Sequence, residues 1–194
     1  MSEDKSPTDK VDHGRCLCGA VTFTVVGEPI YNVVCHCENC RRHGGSTLHC
    51  ASIFPKKVSS LPPHHPASFY YNFSSHYTHY TSADHTIIRQ QYTLHTGAES
   101  ITTYEDRATQ SGQPLSRAFC KICGSKVYST TPLNKDIVSL PAGVLDGVVT
   151  QWAPHKEQFC DVRCDWVPEL GDGIKERFRK GPTGSKVDGL TSKV

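Results

Sequence analysis

The chain has 194 residues, of which 37% are hydrophobic and 21% charged, enough for the core of one ordinary domain but with no apolar run near the roughly 20 residues of a membrane helix. Its formal net charge of +2 is unevenly spread: residues 175–194 hold six Lys or Arg against two acidic residues, and the remainder carries 15 basic and 17 acidic groups. A slightly acidic body with a short basic tail lacks the dense basic stripe of a nucleic-acid binder, so nucleic acid is not the expected partner, and with no spanning apolar run no membrane partner is expected either.

Residues 1–13, opening on MSEDKSPTDK, are polar and have no apolar leader segment, so a disordered N-terminus and a reducing, cytoplasmic setting are expected. Ten cysteines in such a setting call for a use other than disulfides. One mostly β domain is predicted over residues 14–179. It begins with CLCG, where Cys16 and Cys18 stand two apart; in extended chain residues i and i+2 face one side, so both sulfurs can reach one metal before Gly19 turns the backbone. GAVTFTVVG (19–27) and YNVVC (31–35) read as strands. The second runs into CHCENC, with Cys35, Cys37 and Cys40 inside six residues, flanked by His36 and His43 and followed at once by Arg41 and Arg42.

Residues 59–85 break the texture: six aromatic rings and five histidines accompany a single charged residue, Asp84. This composition fits either a long surface excursion that packs its rings on the domain or a lid over a site, with His76 and His79 as weaker metal candidates. HTIIRQQYTL (85–94), SITTY (100–104) and IVSLPAGV (137–144) read as further strands, and FCKICGSKVYST as a hairpin with its tip at Lys121 to Gly124. Helical patterning is confined to DGIKERFRKG (172–181), and residues 180–194 are expected to form a basic, flexible tail.

Cysteine spacing carries the chemistry. A tetrahedral zinc with Zn–S bonds of about 2.3 Å needs sulfurs about 3.8 Å apart, which cysteines close in sequence supply readily. Cys120 and Cys123 form a C-x-x-C-G turn, and together with Cys16 and Cys18 make a filled four-sulfur site of structural type. Cys35, Cys37 and Cys40 are then an odd triplet. The readings are an open three-sulfur zinc, a site closed by Cys50, His36, His43 or a distant cysteine, or buried thiols without metal. Three thiolates make zinc a weak activator of water but keep a sulfur ligand deprotonated at a pH where a free thiol, pKa about 8.5, holds its proton. Such a site suits a thiol attacking a carbon electrophile.

GRCLCGAVTF, CHCENCRRHGG, RAFCKICGSKVY, LPAGVLDG and PHKEQFCDVRCDWV, in this order, resemble the glutathione-dependent formaldehyde-activating enzyme family, which also contains centromere protein V. The resemblance implies several small coiled β-sheets around two zinc ions, a structural one on Cys16, Cys18, Cys120 and Cys123 and a catalytic one on Cys35, Cys37 and Cys40. It implies a carbon–sulfur lyase that joins glutathione and formaldehyde as S-hydroxymethylglutathione, with a non-catalytic, zinc-stabilised module for chromatin or cytoskeleton as the alternative. Glutathione carries two carboxylates, so Arg41 and Arg42 are expected to bind it, and His36, His43 or His155 to move a proton. The resemblance implies a shorter connection where residues 59–85 stand here, which raises a bulkier electrophile than formaldehyde as a substrate.

Overall fold

The computed structural model describes residues 10–60, 77–80, 87–147, 150–171, 173–182 and 184–187. The chain opens with a hairpin, β1 (Val11–Arg15) and β2 (Thr22–Val26), paired antiparallel from Val11↔Val26 to Arg15↔Thr22. Gly14 faces Phe23 across it, and a Cβ at residue 14 would fall 2.3 Å from the Phe23 ring, so the ring occupies space that only glycine leaves. β3 (Tyr31–Cys35) leads into α1 (Glu38–Gly44), and β4 (His49–Pro55) returns antiparallel to β3. Short strands β5 (Lys57–Ser60), β6 (Tyr77–Tyr80) and β7 (Ile87–Gln90) follow, then β8 (Tyr92–Thr96), β9 (Ile101–Asp106), β10 (Leu115–Cys120), β11 (Lys126–Thr131) and β12 (Asn134–Pro141). β13 (Lys156–Gln158) and β14 (Glu176–Arg177) complete the order.

These strands make a mostly β domain of three sheets among the described residues. The largest runs β14-β13-β3-β4-β12-β11-β10-β9; β1-β2-β8 and β5-β7-β6 are three-stranded. β13 pairs parallel with both β3 and β14, and the other pairings are antiparallel. Phe23, Val25, Phe54, Val127, Val138 and Leu140 form the main core between the large sheet and β1-β2-β8, and Cys16 and Cys120 belong to the same cluster. Among the described residues no helix is long and apolar enough to cross a membrane.

Several expectations change. The domain starts before residue 14, because Val11 to His13 already pair with Thr24 to Val26 in β1–β2. Its end extends past residue 179: Phe178 bridges to Lys186, the Val187 N–H donates to the Arg177 carbonyl, and Lys186 Nζ lies 2.7 Å from Glu176, so the first part of the expected tail folds back. In place of the helix expected at 172–181 the chain forms the short β14, and the N–H groups of Glu176 and of the preceding Lys175 both donate to the His155 carbonyl beside β13. HTIIRQQYTL divides at Gln91, whose backbone bonds to Lys56 and Val26 send β7 and β8 into different sheets. Residues 61–76 and 81–86 lie outside the described residues, and with them the expected lid and the metal candidate His76; His79 is described only as backbone in β6.

Candidate functional site

Two groups of sulfurs come together as the spacing predicts. The first joins the β1–β2 turn to the β10–β11 hairpin: Cys16, Cys18, Cys120 and Cys123 have sulfurs within 4.8 Å of one another. Cys16 and Cys18 Sγ are 3.4 Å apart and Cys18 and Cys120 Sγ 3.8 Å, close to the separation of about 3.8 Å that a tetrahedral zinc requires. The glycine after each pair, Gly19 and Gly124, takes a positive φ of 76° and 74°, which a side chain would oppose. These turns aim donors at sulfur. The Val21 N–H donates to Cys16 Sγ at 3.3 Å, and Ser125, through its hydroxyl and its backbone, holds the Cys123 thiol down to about 5. Ser125 Oγ also accepts the Leu17 N–H at 3.0 Å, stitching the two turns together. The donor set fits a four-sulfur zinc.

Cys35, Cys37 and Cys40 form the second group, again within 4.8 Å, and among the described residues no fourth Cys, His, Asp or Glu ligand atom joins it. Cys50, His36 and His43, the residues that could have closed the site, are therefore not in the cluster. Local structure brings the three together: Cys35 ends β3, Cys37 caps α1, and Cys40 lies in its first turn, with its N–H donating to Cys37 Sγ at 3.4 Å. Contact with Cys37 and Cys40, together with burial, drives the Cys35 thiol far up, while contacts from Cys35 and Cys40 draw Cys37 down to about 2. Three sulfurs around one point cannot all ionise unaided, and a dication is what relieves that conflict. The triplet fits a zinc on three protein ligands.

The surroundings of the triplet include residues that sequence reasoning missed. Arg117 on β10 is buried, donates through Nε and Nη2 to Asp106 at 3.0 and 2.8 Å, and places Nη1 3.9 Å from Cys40 Sγ. Asp106 also accepts from Asn39 Nδ2, so the helix that carries Cys40 is tied to the same pair. Lys126 Nζ, on β11, lies 3.3 Å from His49 Nδ1 on β4, and His49 stands directly opposite Cys35 in the β3–β4 register. Burial first, and then the neighbouring Lys126, hold His49 down to about 3 and His43 to about 4, so both imidazoles are neutral. None of these residues has a spacing signal; the sheet register assembles them.

The sequence candidates divide. His36, between two of the triplet cysteines, turns inward to complete burial, and its Nε2 meets Glu157 Oε1 at 2.8 Å. Glu157 is equally buried and also meets Arg177 at 3.2 Å and Arg163 at 3.7 Å; these partners outweigh its burial and keep the carboxyl below its ordinary range. His155 is committed to structure, its Nδ1 accepting the Asn32 N–H at 3.0 Å. Arg41 points Nη1 at Cys164 Sγ, 3.3 Å away, and exposed Arg42 pairs with Glu38 one turn back. With 100° between successive helical residues, neither shares the face of Cys40. Both instead line a shallow groove with Glu38, Gly45, Ser46 and Thr47.

A crystal structure of a Rhodobacter sphaeroides protein, a structural-genomics target, is similar to this chain with 21% identity and a TM-score of 0.43, covering 70% of this chain and 89% of that one. No curated protein matches the chain. The profile described as "Glutathione-dependent formaldehyde-activating enzyme" matches residues 11–81 and 78–162, which include all seven clustered cysteines. The chain thus belongs to the glutathione-dependent formaldehyde-activating enzyme family.

Proposed function

We propose that the chain is a zinc-dependent carbon–sulfur lyase that adds the thiol of glutathione to a carbon electrophile, formaldehyde in the simplest case, and catalyses the reverse release. The observation that carries this reading is the cluster of Cys35, Cys37 and Cys40, three sulfurs with no fourth ligand among the described residues, beside a four-sulfur cluster that is complete. Zinc held by the triplet would supply a position at which a substrate thiol loses its proton near neutral pH. The chain's own residues do the rest. Cys37 and Cys40 are fixed by the first turn of α1, and Arg117, neutralised on one side by Asp106, turns its remaining donor to Cys40 and tempers the negative charge of the three sulfurs. His36 anchors the turn between Cys35 and Cys37 to Glu157 and so holds the triplet in place without touching substrate. The groove of Arg41 and Arg42 supports an anchoring role towards the glutathione carboxylates, at a distance from the sulfur.

The test is magnetisation exchange between glutathione and S-hydroxymethylglutathione in the presence of formaldehyde. Wild-type protein loaded with two zinc ions is expected to speed the exchange well above the spontaneous rate, and Cys37→Ser, still folded, to abolish the gain. Exchange at the spontaneous rate with fully loaded wild type overturns the assignment.

A further inference from the structure

Lys126 is a partly buried cation. Lys10, Lys156 and Lys186 each pair with Asp12, Glu28 or Glu176, and Arg117 is satisfied by Asp106, but among the described residues no acidic side chain pairs with Lys126. Its ammonium meets His49 Nδ1 at 3.3 Å instead. A protonated amine can only donate, so Nδ1 accepts and the imidazole proton sits on Nε2, in keeping with a neutral His49. Gly44, at the end of α1, makes room: a Cβ there would lie 2.7 Å from Nζ. Three elements, α1, β4 and β11, thus hold one ammonium: Gly44 ends the helix that carries Cys40, and His49 stands opposite Cys35. A partly desolvated cation with no acidic partner among the described residues is costly at rest and well placed to meet negative charge that appears during a reaction.

Addition of a thiolate to a carbonyl carbon creates such a charge one bond from the new S–C bond. We propose that Lys126, aimed by His49 and given space by Gly44, is the donor that holds and protonates the oxygen of the carbon electrophile; this rests on the function proposed above. As the sulfur–carbon bond forms, the C=O π pair moves to oxygen, a proton passes from Nζ to that oxygen, and the product is the hydroxymethyl thioether. The amine then takes a proton from solvent, to which the thiol released its own on ionising, so thiol plus aldehyde gives hemithioacetal with no oxidant or reductant. The same arrangement restricts the electrophile to a carbonyl-type carbon, since an alkyl halide or epoxide would develop its charge elsewhere.

Two variants test this. Lys126→Met removes the donor; Gly44→Ala keeps it but drives the ammonium from its place, and alanine suits the helix end. Both are expected to keep two zinc ions and to bind glutathione within threefold of wild type. Exchange between glutathione and its hydroxymethyl adduct should fall at least a hundredfold in Lys126→Met and at least tenfold in Gly44→Ala. Formate, a one-carbon oxyanion, should bind the zinc-loaded wild type saturably by NMR line broadening and at least tenfold more weakly to Lys126→Met. Turnover within threefold of wild type in Lys126→Met overturns the inference, as does parallel loss of glutathione binding, which would make Lys126 a carboxylate anchor. If wild type fails to accelerate the exchange at all, the proposed function falls, and the formate result then decides separately whether Lys126 is an oxyanion site.

Discussion

Arg117 and Asp106 show how one buried pair serves both fold and site. Arg117 is only 4% exposed and Asp106 5%, and between them they connect β9, β10 and, through Asn39, the helix that carries Cys40. Removing one partner of a buried pair leaves the other charged without compensation, a loss of about 3–5 kcal/mol. Because Asp106 keeps its bonds from Asn39 and the Ala108 N–H, Arg117→Met is expected near the lower end, about 3 kcal/mol by denaturant unfolding. Arg117→Lys should recover part of the stability while failing to span both Asp106 and Cys40, so the triplet should lose zinc to a competing chelator more readily than wild type does. A stability change below about 1 kcal/mol in Arg117→Met would mean that the pair contributes little. The cysteines of the site were legible in sequence because a metal dictates how far apart its ligands stand. Arg117, Lys126 and His49 were not, because each reaches the site by strand register, and a lone Arg, Lys or His in a strand has no periodic signature.

At the scale of elements, the C-terminal strand depends on charge more than on apolar burial. β14 has two residues, and Glu176 within it meets Lys156 of β13 at 2.8 Å and Lys186 of the returning chain at 2.7 Å. The Lys156 and then the Lys186 contacts hold the Glu176 carboxyl down to about 2 from an ordinary 4.5. A carboxyl whose folded pKa is depressed adds stability that is full above its unfolded value and fades as pH falls, here between about 4.5 and about 2. Thiolate ligands also take protons in acid, so Glu176→Gln at neutral pH separates the two effects. It is expected to speed amide exchange at Arg179 and Val187, whose N–H groups close this turn onto Ser185 and Arg177, while core amides of β11 and β12 stay protected. Unchanged exchange at both would show that the backbone bonds suffice. The same segment explains a misreading: its charges alternate in a way that suits a helix face, but β13 offers an open edge, and two backbone pairings with it decide the outcome. The α-helix among the described residues, α1, is too short for periodicity to reveal and is set by its ends, the Cys37 cap and the turn at Gly45. Strands β2, β3, β9 and β12 were readable because branched and aromatic residues cluster between glycines and polar turns; β1 and β4 were missed because β1 is mostly polar and β4 opens on small and polar residues, with only Ile53 and Phe54 carrying a strand signal.

For the whole molecule, the two sulfur clusters differ in what they tie together, and this sets the order in which metal and structure are lost. The four-sulfur cluster joins Cys18 to Cys120 across 102 positions and places Cys16 and Cys120 in the main core beside Phe23 and Val127. Closing so long a loop restricts the unfolded chain heavily, so the binding free energy of a metal held there would be largely folding free energy. The triplet spans only Cys35 to Cys40, and its framework is independently held by the β3–β4 ladder, the cap of α1, the Arg117–Asp106 pair and the His36–Glu157 contact. It should therefore empty without unfolding. A graded chelator titration of protein carrying two zinc ions is expected to remove one equivalent while near-ultraviolet circular dichroism is retained and glutathione exchange is lost, and to remove the second only together with tertiary structure. Cys37→Ser should reproduce the first state, folded with one zinc, and Cys120→Ser the second, failing to fold at ordinary temperature. If instead both equivalents left in one step with the fold, or if Cys120→Ser folded normally, the division of labour between the two clusters would be refuted. A two-step loss would also mean that the reactive centre can be emptied and refilled on an intact scaffold, as expected of a site whose ligands are local in sequence and whose supports do not depend on the metal.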